Sequence, residues 1–592
     1  MSWLLSNNGL LLFASFFVCV YIYFYSFVRF ELAKTEPTIN PEQSISHEDT
    51  SQIPSQNKFN VFDHVCKIPR VDPFSPDVMA LFKPPKPKTC TDQPGLFTVR
   101  YNKQQKLYLL RFNKSLFVDL FPSVIHYACV FYEIISGTSD KPIWNKGSPF
   151  TCSDRIVPRS IQGIVVECFE LGNRSRVLQR DAFSFVQHLV GRNETNDEKR
   201  SRAYPSVIML GIDSMSQMNF QRTMPLTAKF LRQPGWTEML GYNGLFNNGF
   251  QNMFSLLSGG SPQLWKQYCD VKRPGCLDTI TFLWNHFHNS GYLTAYAEDS
   301  PSLPFTRKPV DYYLYPILKV FKEIMEGEGR QGDSDYCLGR RESFHYVFES
   351  CLQLVQRFMN ETHKPLFGLY WTKTFSHEDF SAAARVDRDF VRYLELYREL
   401  GLFDKAVVIL FSLHGQRQGP LMRLASGFLE ERLPMLHIYL PPWYRRQYPD
   451  VKQALEVNRR RLCSPYDLHL TLKNLLVQVH PNLEFEIVCN SCMSLLYIVP
   501  ENRSCAGAKI PEWICSYHQE LYNSEGQIVK PADGIQRYRI KFITQPNGVF
   551  LGNIFINSQN NIADVPYHRI TRFNTHSKCV DGSINDILCV CR

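Results

Sequence analysis

Two apolar runs, each typical of a buried strand, lead to residues that could hold a metal ion. The run at residues 207–210 leads to Asp213, and the run at residues 406–410 leads to His414. A carboxylate and an imidazole at two strand ends suit a hydrolytic metal centre, in which a divalent ion polarises an ester or activates a nucleophile. Leu413 precedes His414, however, where such a centre would need a second carboxylate. Whether the protein catalyses hydrolysis depends on this substitution.

The elements that would position these residues alternate between strand and helix from about residue 204. The strand candidates are mostly apolar and cover residues 206–212, 292–296, 365–371, 406–411 and 436–440. Helical stretches are predicted between and after them, at residues 224–231, 279–288, 342–359, 382–400 and 466–479. Continuous apolar strands alternating with helices indicate an α/β fold whose mostly parallel sheet is covered by helices on both faces.

In such sheets, ligands bind beyond the carboxyl ends of the strands. Five polar residues with acidic or imidazole side chains lie just past predicted strand ends: Asp213, Glu298, Asp299, His377 and His414. The sequence therefore predicts a site at this edge of the sheet.

Composition shifts along the chain predict six segments. They are a short tail, a membrane anchor, a flexible stalk, a β-rich disulfide domain, the α/β domain and a small cysteine-rich β domain. They cover residues 1–9, 10–28, 29–58, 59–196, 204–488 and 489–592, respectively. The last segment contains two alternating runs, at residues 538–543 and 549–556, around a Pro-Asn-Gly turn signal, which predicts a hairpin.

The predicted anchor at residues 10–28 is apolar and is about long enough, at about 1.5 Å per residue, to span a bilayer as a helix. No basic stretch precedes it and no small-residue cleavage site follows it, so an uncleaved anchor is favoured over a removed signal peptide. Arg29 and Lys34 follow the span, and these two charges alone would place the large domain in the cytoplasm.

The cysteines and the glycosylation sequons indicate the opposite orientation. The chain has 18 cysteines and five Asn-x-Ser/Thr sequons, at Asn113, Asn173, Asn193, Asn360 and Asn502. Disulfides and N-glycans belong to the secretory lumen or the cell exterior, and large domains translocate largely regardless of flanking charge. We therefore expect a single-pass membrane glycoprotein whose bulk is luminal or extracellular, in the Golgi or at the cell surface.

Zinc is the alternative interpretation of the cysteines. Cys489 and Cys492 have zinc-ligand spacing, but no convincing second pair lies at zinc-finger distance, so disulfides are favoured. Nucleic acid is not an expected partner, although the net charge is +9, because the basic runs are only two or three residues long. We expect the partner to be a protein or a glycan, whose identity the sequence does not reveal.

An ordered set of segments between about residues 206 and 472 resembles the alkaline phosphatase and sulfatase superfamily, and most closely the animal family of unknown function numbered 229. The segments include VIMLGIDSMSQMNFQRTMP, GYNGLFNNGFQNMFSLLSGG, WTKTFSHEDF, FSLHGQRQGP and GFLEERLPMLHIYLPPW. The resemblance implies an α/β fold of the alkaline-phosphatase type. It also implies metal-assisted hydrolysis or transfer at phosphate or sulfate esters.

The resemblance also assigns roles to individual positions. Asp213 matches the first metal ligand, and His414 matches the histidine of an Asp-His pair. Gly249 stands at the nucleophile position, where the family has threonine, and Leu413 stands at the position of the metal carboxylate. His377 and Asp379 match a segment that often holds substrate or a second metal, and His469 is another matched histidine. Glu430, Glu431 and Arg432 match a segment that is interpreted as structural, with glutamate bracing the site.

Two of about four expected metal ligands, at positions 249 and 413, are therefore missing. The loss at position 249 also removes the nucleophile. We expect no bound metal or a weakly bound divalent metal, and a pseudoenzyme that acts in binding. One alternative is an active phosphoesterase, sulfatase or phospho-group transferase with a rearranged site built from Asp213, His414, His377, Asp379 and His469. Another is that the cysteine-rich flanking domains recognise a partner while the central domain acts as a spacer.

Overall fold

The computed structural model describes a large part of the 592-residue chain. The described residues are 30–31, 59–62, 66–86, 89–135, 143–151, 154–188, 204–246, 248–262, 275–303, 305–325, 336–424, 426–483, 489–511, 514–516, 536–544, 548–556 and 567–569. They fall into two compact units, one formed by residues 58–416 and 428–517 and the other by residues 1–57, 417–427 and 518–592.

The strands are numbered in chain order. They are β1 (Phe30–Glu31), β2 (Phe59–Phe62), β3 (Lys67–Pro69), β4 (Phe97–Asn102), β5 (Leu107–Phe112), β6 (Tyr127–Ile135), β7 (Ile143–Lys146), β8 (Arg155–Val157), β9 (Ile161–Glu170), β10 (Asn173–Ser184), β11 (Ser206–Ile212), β12 (Trp236–Glu238), β13 (Leu293–Glu298), β14 (Tyr312–Tyr313), β15 (Cys337–Leu338), β16 (Arg341–Glu342), β17 (Leu366–Thr372), β18 (Ala406–Phe411), β19 (Leu436–Tyr439), β20 (Gln536–Thr544), β21 (Gly548–Ile556) and β22 (Tyr567–Arg569).

The α-helices are numbered in the same way. They are α1 (Pro76–Leu81), α2 (Lys114–Leu120), α3 (Gln217–Thr223), α4 (Pro225–Phe230), α5 (Gly249–Ser258), α6 (Leu283–Asn289), α7 (Tyr315–Met325), α8 (Ser343–Leu354), α9 (Asp387–Glu399), α10 (Leu402–Lys405), α11 (Gly427–Arg432), α12 (Pro442–Gln447), α13 (Pro449–Asn458) and α14 (Pro465–Val479).

The central sheet has seven strands in the order β12-β19-β18-β11-β17-β13-β14. Strands β18, β11, β17, β13 and β14 are mutually parallel, whereas β19 runs antiparallel to β18. Every residue of β11, β17 and β18 is buried, which explains why these strands are apolar throughout rather than alternating. The predicted α/β fold with a mostly parallel sheet is confirmed.

Helices cover both faces of this sheet. Successive side chains of each strand point to opposite faces, so neighbouring residues of one strand pack against different helices. Ile208 and Leu210 of β11 belong to one apolar cluster, which contains residues of α8 and α9. Val207 and Met209 belong to a second cluster, which contains residues of α5, α6 and α14. The predicted two-sided helical cover is therefore also confirmed.

The region before the central sheet is rich in β-structure, as the cysteines and short apolar runs predict. It contains a four-stranded sheet in the order β10-β9-β6-β7 and a three-stranded sheet in the order β4-β5-β8. Cys129 and Cys168 form a disulfide between β6 and β9, and Cys90 is joined to Cys337. After α14, two further disulfides join Cys489 to Cys492 and Cys505 to Cys515. Cys489 and Cys492 thus form a disulfide, the interpretation favoured over zinc ligands.

The other unit contains a four-stranded sheet in the order β1-β20-β21-β22. Strands β20 and β21 pair antiparallel from Gln536↔Ile556 to Thr544↔Gly548, which confirms the predicted hairpin. The anchor predicted at residues 10–28 lies outside the described residues. Of the helices in the described ranges, none combines the length and the apolar character needed to cross a bilayer.

Candidate functional site

Asp213 lies directly after β11, at the carboxyl edge of the central sheet. Its backbone nitrogen donates to the carbonyl oxygen of Thr372, the last residue of β17, at 2.9 Å, and the residue is 3% exposed. Ser214 follows with a positive φ of 55°, and its hydroxyl donates to Asp213 Oδ2 at 3.2 Å. A non-glycine residue in this region is strained, so a strained turn presents the carboxylate.

His414 is the third residue after β18 and lies against Asp213. The hydroxyl of Ser412 connects their two loops, because it donates to the carbonyl oxygen of His414 at 3.0 Å and accepts from the backbone nitrogen of Met215 at 3.1 Å. His414 Nδ1 lies 2.9 Å from the carbonyl oxygen of Gly415, which can only accept, so Nδ1 carries the hydrogen. Nε2 faces Asp213 Oδ1 at 3.5 Å, the arrangement typical of a histidine that binds a cation or pairs as an imidazolium.

Gly249 is the first residue of α5 and faces the same pair. A Cβ atom placed on it would lie 3.3 Å from His414 Nε2 and 3.8 Å from Asp213 Oδ1. Asn252 holds the preceding loop, since its side-chain oxygen accepts from the backbone nitrogens of Leu245 and Phe246 at 2.9 and 3.1 Å. The chain therefore presents the position assigned to the nucleophile directly to Asp213 and His414, without a side chain.

His377 approaches Asp213 from the loop after β17. Its Nε2 lies 4.0 Å from Asp213 Oδ2, and its Nδ1 lies 2.9 Å from Glu378 Oε1. The Gln416 amide donates to the carbonyl oxygen of His377 at 3.2 Å, which connects this loop to the one that carries His414. The structure thus brings Asp213, His377, His414 and Gly249 together, and we call them the edge cluster.

Leu413 directly precedes His414 and packs in the apolar core. It is fully buried and belongs to the apolar cluster that also contains Val207, Met209 and Leu436. Gly415, two residues further on, has no room for a side chain, because a Cβ atom there would overlap the carbonyl oxygen of Glu430 at 1.7 Å. The backbone of this motif is therefore tightly packed, and the leucine is accommodated by apolar neighbours.

Two other predicted site residues have different surroundings. His469 donates from Nδ1 to the carbonyl oxygen of Leu256 at 2.8 Å, and a Cβ atom on Gly259, at the carboxyl end of α5, would lie 2.5 Å from its Nε2. The ten residues of α5 span about 15 Å, so the structure does not bring His469 to Gly249. Asp379 accepts from the backbone nitrogen of Ser381 at 2.9 Å and stabilises a local turn.

The remaining acidic residues predicted at strand ends brace the loops. Glu298 accepts from the Tyr296 hydroxyl at 2.6 Å and from the backbone nitrogen of Ser302 at 2.8 Å. Burial raises the pKa of Glu298 to about 8, against the effect of these hydrogen bonds. Asp299 accepts from the Thr374 hydroxyl at 2.7 Å and from the backbone nitrogen of Lys373 at 2.9 Å, and so holds the loop that leads to His377.

Glu430 braces the segment after Asp213. Both partners of its ion pair with Arg222 are fully buried, at 2.6 Å. Glu430 also accepts a hydrogen bond from Ser216, whose hydroxyl accepts from the backbone nitrogen of Asn219 at 2.9 Å as the N-cap of α3. This buried carboxylate fixes the start of the helix that follows the strained turn at Ser214.

Sequence reasoning missed two residues next to the edge cluster. Gln416 is 2% exposed and Ser376 is also 2% exposed. Gln416 Oε1 and Ser376 Oγ have no hydrogen-bond partner within the part of the chain that the structure describes. Both residues adjoin a predicted site motif, and that proximity is the only signal in the sequence that could have identified them.

The fit of a resident metal ion can be judged from these donors. Asp213, His414 and His377 supply one carboxylate and two imidazoles, while neither Gly249 nor Leu413 has a side-chain donor atom. Within the described ranges, no group of three or more His, Cys, Asp or Glu side chains is arranged to hold a metal ion. The residues present therefore do not fit the tightly bound ion of a hydrolytic centre, which needs more compensating negative charge.

The sequons differ in their surroundings. Asn113 and Asn502 are exposed, and Asn113 caps α2 by accepting from the backbone nitrogen of Leu116 at 3.1 Å. The Asn360 amide is part-buried and donates to the carbonyl oxygen of Leu400 at 2.8 Å. Asn193 lies outside the described residues.

The fold and the edge cluster define an α/β protein with a polar site at the carboxyl ends of parallel strands. The family described as protein of unknown function (DUF229) matches residues 83–532. The chain belongs to this family, as the resemblance predicts. No curated protein matches the chain.

Solved structures similar to the chain include two sulfatases. One is a putative sulfatase from Bacteroides fragilis, with 9% identity, a TM-score of 0.35 and coverage of 64% of this chain and 90% of that chain. The other is from Pseudoalteromonas sp., with 11% identity, a TM-score of 0.35 and coverage of 64% and 84%. The C-terminal periplasmic domain of EcEptC from Escherichia coli has 13% identity, a TM-score of 0.34 and coverage of 51% and 88%.

Proposed function

We propose that this protein is a binding protein that keeps a hydrolase-like α/β framework without the chemistry of ester hydrolysis. The observation that carries the proposal is the position of Gly249. A Cβ atom there would lie 3.3 Å from His414 Nε2, so this position faces the polar side chains across one site. Because glycine has no hydroxyl or thiol, covalent catalysis from this position is impossible.

The absence of a carboxylate at Leu413 supports the same conclusion. Replacing a carboxylate by a fully buried leucine removes about one unit of the negative charge that would offset a divalent ion. The leucine packs in an apolar cluster, so a hydrated ion beside it would also lose polar contacts. Metal affinity should fall by orders of magnitude relative to a complete site, and this supports a site with no metal or a weakly bound one.

The edge cluster can still bind a ligand. Asp213 offers an acceptor, His377 is about a quarter exposed at its side chain, and Gly249 leaves the two polar side chains beside it without a covering side chain. Buried oxygen atoms of Ser376 and Gln416 add hydrogen-bonding capacity. These groups suit a ligand that is held by hydrogen bonds and is not cleaved.

The setting that we propose follows from the sequence. Residues 10–28 anchor the chain in a membrane, and the bulk of the protein lies in the secretory lumen or outside the cell. The cysteines support this compartment because four disulfides form within the described residues and disulfides persist in oxidising environments. The ligand is then a protein or glycan of that compartment.

A second candidate function is metal-dependent hydrolysis or transfer at phosphate or sulfate esters with a rearranged site. The observation that favours it is the convergence of two imidazoles on one carboxylate, at 3.5 and 4.0 Å. Three such ligands with an open fourth position hold catalytic zinc in other proteins. Because no group of three such side chains is arranged to hold an ion within the described ranges, this function requires Asp213, His414 and His377 to rearrange around the metal.

Metal analysis and ester turnover, measured on the full chain purified from membranes, separate the two functions. The binding proposal expects less than stoichiometric metal after dialysis and no turnover of phosphate or sulfate monoesters above the background of Asp213→Ala. Stoichiometric metal together with turnover that Asp213→Ala abolishes would refute it. Thermal unfolding of both proteins controls for misfolding of the variant.

A further inference from the structure

The disulfide between Cys489 and Cys492 differs from the others in the size of the loop that it closes. Its two cysteines are 3 residues apart, whereas the other described disulfides join residues separated by 10, 39 and 247 positions. A cross-link stabilises a protein mainly by restricting the unfolded chain, and this gain falls as the loop becomes shorter. The fold therefore gains least from the Cys489–Cys492 bond.

The two cysteines of this disulfide differ in burial. Cys489 is only partly buried, and the two residues between the cysteines, Asn490 and Ser491, are exposed. Cys492 is 8% exposed. By contrast, Cys129 and Cys168 are both fully buried. Cys489 is therefore the more accessible half of its disulfide, whereas both halves of the disulfide between β6 and β9 are covered.

The turn that carries the two cysteines is held by contacts that do not include sulfur. Arg503 Nη2 donates to the carbonyl oxygen of Ser491 at 3.2 Å, and the backbone nitrogen of Met493 donates to Asp467 Oδ1 at 2.8 Å. Arg503 and Asp467 form a buried ion pair at 2.7 and 3.0 Å. Both residues that flank Cys492 are thus fixed to the core, and breaking the sulfur–sulfur bond leaves these contacts in place.

We propose that Cys489 and Cys492 form a reversible redox site that exchanges electrons with a thiol–disulfide couple of the surrounding compartment. The Cys-x-x-Cys spacing is the spacing used by disulfide oxidoreductases, in which one thiol has a lowered pKa. Because the turn stays fixed on reduction, the two thiols remain adjacent and re-form the bond readily. This site is separate from the edge cluster, and the inference does not rest on the proposed binding function.

The exchange proceeds in two steps. A small-molecule thiolate attacks Cys489 Sγ, a mixed disulfide forms, the bond to Cys492 Sγ breaks, and Cys492 leaves as a thiolate that takes a proton from water. A second thiolate attacks the sulfur of the first small molecule in the mixed disulfide. The products are the oxidised small-molecule disulfide and a Cys489 thiolate, which is then protonated. The protein disulfide gains two electrons and two protons, which two small-molecule thiols supply.

Reduction in graded mixtures of reduced and oxidised glutathione tests the site on the full-length wild-type protein. Alkylation followed by mass spectrometry reports each cysteine pair separately. We expect Cys489 and Cys492 to be half reduced at a glutathione ratio about tenfold more oxidising than the ratio that reduces Cys505–Cys515, and to reoxidise without a change in circular dichroism. If Cys489–Cys492 stays oxidised until Cys129–Cys168 is reduced, the proposal is wrong.

The direction of attack is tested with a matched pair of variants. Cys492→Ser keeps the accessible sulfur and should form a mixed disulfide with oxidised glutathione about tenfold faster than Cys489→Ser, which keeps the covered one. Equal rates would contradict the assignment of Cys489 as the attacked sulfur. The wild-type titration remains decisive if either variant does not fold.

Discussion

Gly249 and His414 face each other so closely that a single added methyl group would touch the imidazole. A Cβ atom on Gly249 would lie 3.3 Å from His414 Nε2 and 3.8 Å from Asp213 Oδ1. The missing side chain and the remaining polar ones therefore belong to the same site. This relationship makes the loss at Gly249 testable by restoring the side chain.

Restoring both missing groups should restore metal binding before it restores activity. In Gly249→Thr with Leu413→Asp, the threonine hydroxyl and the new carboxylate would join Asp213 and His414. An aspartate at the buried position 413 should destabilise the protein by several kcal/mol, about 3–5 kcal/mol, when no cation is present. Thermal unfolding with and without Zn²⁺ or Mg²⁺ measures the effect, and a cation should raise the melting temperature of the double variant.

Isosteric variants provide the controls. Gly249→Val with Leu413→Asn has nearly the same shape but neither the hydroxyl nor the carboxylate charge. Its melting temperature should not respond to the cation. If the charged variant shows no gain in metal affinity over this control, position 413 does not correspond to a metal carboxylate.

Glu298 should make the stability of the protein depend on pH. Its pKa is about 8 in the folded protein because of burial, compared with an ordinary value of 4.5. The folded state therefore binds more protons between these values, so the stability contribution is complete below about pH 4.5 and is lost as the pH rises through about 8. The glutamine in Glu298→Gln stays neutral at both pH values. Between pH 5 and pH 8 the free energy of unfolding of this variant should therefore fall less than that of the wild type, and the two decreases should differ by more than about 1 kcal/mol.

Denaturant unfolding at the two pH values measures this difference. Glu456→Gln is the control, since the Glu456 side chain is 61% exposed, and it should retain the pH dependence of the wild type. An unchanged pH dependence in Glu298→Gln would mean that Glu298 is ionised in the folded protein at neutral pH.

Breaking the buried ion pair should be far more costly than breaking an exposed one. Glu430→Gln leaves the fully buried Arg222 guanidinium without its counter-charge, and we expect a loss of about 3–5 kcal/mol in the free energy of unfolding. Glu501→Gln removes the partner of Arg461, but the Glu501 side chain is 62% exposed, so the loss should stay below about 1 kcal/mol. Comparable losses in urea unfolding would contradict the bracing role of Glu430.

Gly415→Ala should prevent normal packing of the His414 loop. The new Cβ atom would overlap the carbonyl oxygen of Glu430 at 1.7 Å, so the backbone must move, and we expect a loss of stability of at least about 2 kcal/mol. Gly95→Ala is the matched control, because the nearest atoms to its Cβ lie 3.6 Å away. The yield of folded protein and the melting temperature of the two variants decide the outcome.

The sheet could be predicted because its strands are buried on both faces. Residues 207–212 and 406–411 have no polar side chain, and the structure places β11 and β18 at these positions. The type of one helix was not predicted, although its bounds were close. The stretch predicted at residues 342–359 is an α-helix, Ser343–Leu354, followed by a π-helix, Val355–Asn360, a change in hydrogen bonding that hydrophobic periodicity does not reveal.

The site could be predicted only in part, for a physical reason. Asp213, His377 and His414 meet because parallel strands deliver their carboxyl ends to one edge, and strand ends can be read from the sequence. His469 lies on a helix, and its sequence position does not indicate whether it faces the amino or the carboxyl end of α5. The positive φ of Ser214 and the apolar surroundings of Leu413 depend on packing between distant segments, which a local pattern does not contain.

The pairing of Asp467 with Arg503 affects how the chain must fold as it is made. Asp467 is fully buried and caps its own helix by accepting from the backbone nitrogen of Ser464 at 2.8 Å, while its counter-charge comes from 36 residues later. Asn243 likewise accepts from the backbone nitrogen of Ser516, at 2.9 Å and 273 residues away. Chains emerge from the ribosome from their amino end, so these contacts can form only after residues 503 and 516 have been synthesised. Until then, the carboxylate of Asp467 lacks this counter-charge.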